Sequence, residues 1–103
     1  MRFYIRHRYG MTTREPPFSA FRSLLQELDD HQDDEEHCSV EVTHETEWSL
    51  GAYGGGYIIW ENLEADSPRH MRGVPDEKIL LLMEAVAKGD FDVVESEPWL
   101  PGY

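Results

Sequence analysis

The sequence predicts an α+β fold in which two helices pack on one face of a mainly antiparallel sheet of four to five strands. Two observations lead to this prediction. Several short segments alternate apolar and polar residues with a period of two, and two longer segments carry apolar residues at helical spacing. The elements follow in the order β-α-β-β-β-α, with a final strand left open. A length of 103 residues that are 40% hydrophobic fits a single domain over Met1–Tyr103, with one modest core.

The first half of the chain contains two alternating segments and one helical segment. Arg2–Tyr9 alternates and predicts a strand with one buried side. Pro17–Asp30 predicts an amphipathic helix, because its apolar residues recur every three or four positions. Ser39–Glu47 alternates again, with Val40, Val42 and His44 on one side, and predicts a second strand.

The second half predicts a hairpin, a helix and the optional last strand. Trp48–Tyr53 and Tyr57–Leu63 read as strands around the glycines Gly54–Gly56, which supply the positive φ of a tight turn. Pro75–Lys88 predicts the second helix, with acids in its first turn. Phe91–Ser96 is the candidate final strand. The remaining segments are predicted to be connections without regular structure: Met11–Pro17, His31–His37, Ala65–Gly73 and Pro98–Tyr103.

Charge is distributed very unevenly. The chain has a formal net charge of −12, and ten of its 21 acidic residues fall between Glu27 and Glu47 with no lysine or arginine among them. Such a run is either a solvated loop that keeps the protein soluble or a docking surface for a basic partner. The same charge argues against nucleic acid as a partner, because contact with phosphates needs a basic face.

The N-terminal segment has the opposite charge. The first 14 residues contain four arginines and no acid. Arg2, Arg6 and Arg8 share one side of the predicted first strand, where we expect them to pair with Glu41 or Glu45 of a neighbouring strand.

Several classes of protein are not expected. The longest apolar run, Ile79–Met83, is far too short to span a bilayer, and Met1–Tyr9 carries three arginines and no apolar signal core. We therefore expect a cytoplasmic protein that has no membrane partner. The single cysteine, Cys38, excludes an internal disulfide and a four-cysteine zinc site.

Neither a cofactor nor catalysis is expected. His31, His37, Cys38 and His44 lie close in sequence but lack the spacing of a metal site. The clustered glycines lie between strands, whereas a phosphate-binding loop precedes a helix. No nucleophile lies in a catalytic motif. A small enzyme built around His44 or His70 is the least favoured of the functional hypotheses.

The second half also resembles a known group of proteins. From Gly54 to Leu100, its order is similar to the C-terminal half of small immunity proteins from bacterial polymorphic-toxin and contact-dependent inhibition systems. The resemblance implies a cytoplasmic inhibitor that binds a cognate toxin and has no chemistry of its own. It is carried by the glycine-rich hairpin, Trp60, Gly73–Val74–Pro75, Gly89–Asp90, Val93–Val94–Glu95 and Trp99.

Charge and resemblance together predict a partner-binding site. A nuclease toxin has a basic cleft, so carboxylates can take the place of phosphates and aromatic rings the place of bases. The predicted partner-binding residues are Asp33, Asp34, Glu35, Glu36, Glu45, Glu47, Trp48 and Trp60. The alternative is an accessory subunit or homodimer with an apolar interface near Tyr57–Trp60 or the C-terminal tail. The oligomeric state stays open, with a dimer among the alternatives.

Overall fold

The computed structural model of the protein describes residues 2–29, 39–65 and 67–103. It contains an antiparallel sheet of seven strands in the order β2-β1-β3-β4-β5-β6-β7, together with three α-helices. The predicted α+β class is confirmed, and the number of strands is higher than predicted. The strands are β1 Phe3–Arg6, β2 Thr12–Arg14, β3 Ser39–His44, β4 Trp48–Tyr53, β5 Tyr57–Asn62, β6 Arg69–Met71 and β7 Leu100–Pro101, and the helices are α1 Ala20–Gln26, α2 Asp76–Lys88 and α3 Phe91–Glu95.

One face of the sheet carries the core. Ile5, Val42, Leu50 and Trp60 lie opposite one another across four neighbouring strands, and all four are almost completely buried. They form a continuous apolar cluster with the buried residues of α1, α2 and α3. Because successive side chains of a strand point to opposite faces, the residues between them lie on the face away from the helices, which we call the open face.

The two outermost parts of the sheet are the ones that sequence alternation did not predict. The predicted strand Arg2–Tyr9 ends at Arg6, because the chain turns at Gly10, whose φ is +90°, and returns as β2. Two further strands, β6 and β7, lie within the predicted connection and the predicted tail. Strands of two or three residues are too short to show a period of two, so pairing alone reveals them.

The predicted final strand over Phe91–Ser96 is wrong, because this segment is helix α3. The β-branched pair of valines favours a strand locally. Tertiary contacts favour the helix, which buries Val94, packs Phe91 on the core and brings Glu95 to the indole of Trp60. Three contacts of this kind outweigh local propensity in a five-residue segment.

The predicted hairpin between β4 and β5 is confirmed, and its glycines have a packing role. Gly55 and Gly56 have positive φ, as the turn requires. The backbone of Gly56 also lies against Val74, whose N–H donates to the Gly56 carbonyl at 3.0 Å. A Cβ on Gly56 would lie 2.7 Å from the Val74 oxygen, so only glycine fits at this position.

The first helix is shorter than its predicted range, Pro17–Asp30, and is fastened to the β1–β2 turn. It continues as a 3₁₀ turn over Glu27–Asp29. The Glu27 carboxylate lies 2.7 Å from Nδ1 of His7 and accepts the backbone N–H of Arg8 at 3.0 Å. Arg8 is buried beside the end of α1, where its Nη1 donates to the Glu27 carbonyl at 3.4 Å. In the described part of the chain, no helix has the length and apolar character to cross a membrane.

Candidate functional site

Four acidic residues lie at one end of the sheet, and we call Glu45, Glu47, Glu61 and Glu64 the acidic end. Glu45 and Glu47 lie in the turn between β3 and β4, while Glu61 and Glu64 lie at and just beyond the end of β5. The N–H of Leu63 donates to the Glu47 carbonyl at 2.9 Å, which joins the two segments. The Leu63 side chain beside them is 46% exposed. The acidic end therefore combines negative charge with one accessible apolar group.

Glu47 has a backbone conformation that normally favours glycine. Its φ is +74°, in the left-handed region. Two hydrogen bonds hold it there, one from its N–H to the His44 carbonyl and one from Leu63 to its own carbonyl, both 2.9 Å. A residue with a Cβ is disfavoured here by about 1 kcal/mol or more. The sequence thus places a carboxylate where the fold alone would favour glycine.

Glu61 is destabilised by its surroundings in the ionised form. Burial raises the pKa of its carboxyl group, and the nearby charge of Glu41 raises it further. Both residues lie on the open face, on either side of β4. Glu41 extends over Gly51, where a Cβ would lie 3.7 Å from its Cγ. Absence of a side chain at Gly51 lets the two carboxylates act on each other across the intervening strand.

The carboxylates of the acidic end make no ion pair in the described part of the chain. Within residues 2–29, 39–65 and 67–103, no ion pair includes a residue of the acidic end or Glu41. The pairs made by lysine and arginine lie on the helix side of the sheet: Arg22–Glu77, Arg69–Glu95, Lys78–Glu97 and Lys88–Glu84. The acidic end therefore presents uncompensated charge in the described structure.

The predicted partner-binding residues separate into three groups. Glu45 and Glu47 lie in the turn between β3 and β4 and are part of the acidic end. Asp33, Asp34, Glu35 and Glu36 lie outside the described residues. Trp48 is half-buried and packs against the core.

Trp60 is wrong as a partner anchor, because its side chain has no exposed surface. It is the centre of an aromatic column: the ring of Trp48 stacks on it at 4.8 Å and that of Trp99 at 6.5 Å, with Phe91 at 5.8 Å. Strand β5 is apolar on both faces, and its pairing with Leu50 turns Trp60 towards the helices. Its role is to pack the core.

The indole of Trp60 is held by an ion pair. Its N–H donates to Glu95 at 3.1 Å, and Arg69 donates to both Glu95 oxygens at 2.6 and 2.7 Å. The bidentate bond from Arg69, with the indole bond, holds the pKa of the Glu95 carboxyl below its ordinary value. The same bond raises the pKa of Arg69. This arrangement fixes α3 to the sheet.

The arginines of the first strands form the second charged feature of the open face, and we call Arg2, Arg6 and Arg14 the arginine strip. Arg6 lies directly opposite Glu41 in the β1–β3 register, and the Arg2 carbonyl accepts the N–H of Glu45 at 2.9 Å. The predicted neighbours are therefore correct. Among the described residues, however, no ion pair includes a member of the strip. Arg2 and Arg14 line an open groove of about 490 Å³ with Tyr4, Glu15 and Glu45.

The two histidines considered for catalysis, His44 and His70, each form hydrogen bonds with other residues of the chain. His44 is buried, and its Nδ1 accepts the N–H of Thr46 at 3.2 Å, which makes Nε2 the protonated nitrogen of the neutral ring. Nε2 has no hydrogen-bond partner, and the ring meets Phe91 edge to face at 5.0 Å. His70 donates from Nδ1 to the Gly102 carbonyl at 2.8 Å and so fastens the C-terminal segment.

Sequence reasoning missed half of the acidic end. Glu61 and Glu64 lie outside the acidic run of the sequence. The hairpin was nevertheless predicted, and its register places Trp48 opposite Asn62 and Ser49 opposite Glu61. Extending that register by one residue brings Glu47 beside Leu63. The predicted hairpin pairing could therefore have placed Glu61 and Glu64 near Glu47.

Comparison with known proteins found no match. No protein-family model, no characterised protein and no solved structure matches this chain.

Proposed function

We propose that this chain is a non-catalytic inhibitor that binds a basic protein, in the manner of an immunity protein and its cognate toxin. The acidic end, with Glu41 beside it, is the proposed contact surface. The partner is a domain with a basic cleft, of which a nuclease toxin is the best example, and binding would occlude that cleft. The resemblance of Gly54–Leu100 to immunity proteins supports a cytoplasmic, bacterial protein.

The observation that carries the proposal is that two residues of the acidic end, Glu47 and Glu61, lie in unfavourable surroundings in the free protein. Glu61 has a raised pKa in the absence of a partner, and Glu47 occupies a left-handed conformation. Residues that lower stability without a structural benefit are typical of functional surfaces. A cation placed between Glu41 and Glu61 would offset the repulsion between their carboxylates. A basic partner would therefore favour the ionised form of Glu61.

Long-range electrostatic attraction also supports a positively charged partner. A net charge of −12 on 103 residues creates a long-range field that attracts basic proteins. Complementary charge accelerates association by about 10–10³-fold at low ionic strength, and the gain falls as salt is added. An inhibitor that must intercept a toxin quickly benefits from such steering.

The proposal is tested by affinity capture on the tagged chain from a lysate of its native cells, with elution along a salt gradient. Retained proteins are identified by mass spectrometry, and the activity of each is measured with and without the chain. We expect one basic protein that elutes as salt rises and whose activity the chain inhibits. A partner that stays bound at high salt and is not inhibited would contradict the proposal and favour the subunit or homodimer alternative.

A further inference from the structure

A threonine, a histidine and a glutamate are joined by hydrogen bonds just beyond the C-terminal end of β1. Nε2 of His7 lies 2.8 Å from the Thr13 hydroxyl oxygen, and Nδ1 of the same ring lies 2.7 Å from a Glu27 carboxylate oxygen. A hydroxyl bonded to an imidazole whose second nitrogen is held by a carboxylate is the arrangement that activates a nucleophile. We call Thr13, His7 and Glu27 the hydroxyl relay.

Strand pairing brings the hydroxyl and the imidazole together. Thr13 lies opposite Ile5 in the β1–β2 register, and His7 follows Ile5 by two positions. Both side chains therefore project to the helix side of the sheet, where α1 ends and supplies the carboxylate. The His7 backbone is fixed in the turn, because its N–H donates to the Met11 carbonyl at 2.7 Å and its carbonyl accepts the Gly10 N–H at 2.9 Å.

The hydrogen bonds determine which nitrogen of the neutral His7 ring carries the proton. A carboxylate only accepts hydrogen bonds, so Nδ1 donates to Glu27. The other Glu27 oxygen accepts the backbone N–H of Arg8 at 3.0 Å, which holds the carboxylate in place. Nε2 then presents its lone pair to the Thr13 hydroxyl and accepts its hydrogen bond. The ring is thus arranged to take the proton of this hydroxyl.

The hydroxyl is also accessible. Strand β2 is the outermost strand of the sheet, and all three of its residues are exposed. The side chains of His7 and Glu27 are 31% and 28% exposed, so the base and its carboxylate are partly shielded from water. A reagent can therefore reach the Thr13 hydroxyl while the groups behind it stay in place.

We propose that Thr13 is an acylation site, a nucleophile that accepts an acyl group from an activated ester. The Thr13 oxygen forms a bond to the ester carbonyl carbon while Nε2 of His7 takes the hydroxyl proton. The bond from the carbonyl carbon to the leaving oxygen then breaks, and His7 returns the proton to that oxygen. The products are an O-acyl-threonine and the free alcohol, so the step needs no further reactant.

Glu27 is a positioning residue in this step, because it holds the ring in the tautomer that accepts the hydroxyl proton. The acylation is a single modification of the chain. It uses no residue of the acidic end, so the proposed function and this inference stand or fall separately.

The experiment treats the whole chain with p-nitrophenyl acetate at neutral pH. Acetylation is followed residue by residue by tandem mass spectrometry of the tryptic peptide Tyr9–Arg14, which contains both threonines of β2. Thr12 is a matched internal control, since it is an exposed threonine of the same strand that lies opposite Arg6 and projects away from His7. Its rate measures the background reaction of an exposed hydroxyl.

The wild-type chain should acetylate Thr13 about 100-fold faster than Thr12, the size of a general-base contribution. His7→Gln should lower the Thr13 rate to that of Thr12, and Glu27→Gln should lower it about tenfold or more, because the amide can donate to Nδ1 and favour the other tautomer. Thr13→Ser keeps the hydroxyl and should keep the fast reaction.

The ratio of the two rates separates activation from loosening of the hairpin, which would change both threonines together. Circular dichroism checks that each variant is folded. Equal acetylation of Thr12 and Thr13 in the wild-type chain would overturn the inference without any variant. A folded His7→Gln chain that acetylates Thr13 at the wild-type rate would overturn it as well.

Discussion

Replacement of Glu47 by glycine should stabilise the free protein and weaken its binding. The residue has φ +74° and is held by two backbone hydrogen bonds, so the left-handed conformation persists in the variant. Removal of the Cβ relieves about 1–2 kcal/mol of steric cost. The greater freedom of glycine in the unfolded chain returns about 0.5–1 kcal/mol. The net expectation is a gain of about 0.5–1 kcal/mol in the free energy of unfolding.

The structure offers a matched control for this variant. Glu15 is the second non-glycine residue with positive φ among the described residues, at +46°, and it lies outside the acidic end. Urea denaturation of Glu47→Gly and Glu15→Gly should show a similar gain in the free energy of unfolding.

Binding to the captured basic protein should weaken as well, because Glu47→Gly removes a contact carboxylate. We expect it to lose about five- to tenfold in affinity, equal to about 1–1.4 kcal/mol. An unchanged affinity for Glu47→Gly would refute the assignment of Glu47 to the binding surface.

Three further predictions concern the fold. The raised pKa of Glu61 means that its ionised form is disfavoured in the folded state, so Glu61→Gln should add about 0.5 kcal/mol at pH 7, and this gain should disappear as pH falls below 4.5. Because the pKa of Glu95 is lowered in the folded state, its contribution is present above pH 4.5 and is lost as pH falls; Glu95→Gln should cost about 1 kcal/mol at pH 7 and less at pH 3, and an equal cost at both would contradict this reasoning. Gly56→Ala should cost about 2 kcal/mol or more in thermal unfolding, whereas Gly54→Ala, which meets nothing within 4 Å, should stay within about 0.5 kcal/mol of the wild type.

The parts of the fold that the sequence predicted are those with enough residues to show a period. Strands β3, β4 and β5 each have six residues, and α2 has 13, so alternation or helical spacing is visible in each. Strands β2, β6 and β7 have two or three residues, and their formation depends on neighbours that are distant in sequence. Helix α3 was predicted as a strand for the same reason, since its contacts with Trp60 and not its own propensity decide its conformation.

The negative charge of the candidate site was predictable from the sequence, but the full set of its residues was not. The acidic composition of the segment that contains Glu45 and Glu47 is evident from the sequence. Glu61 joins it only through the pairing of β4 with β5. Its pKa is raised first by burial and then by the charge of Glu41, which extends over Gly51. Trp60 was misassigned because a strand that is apolar on both faces does not reveal which face meets the helices.

The most direct test of the account is the association rate of an acidic-end variant with the captured basic protein. Glu45→Lys/Glu61→Lys is compared with Glu77→Lys/Glu84→Lys, which changes the net charge equally on the helix side. Stopped-flow measurements from 20 to 300 mM salt separate steering from contact. The account predicts at least a tenfold slower association for the acidic-end variant at low salt and a much smaller change for the control. Equal rates for the two variants at every salt concentration would contradict the claim that the acidic end is the binding surface.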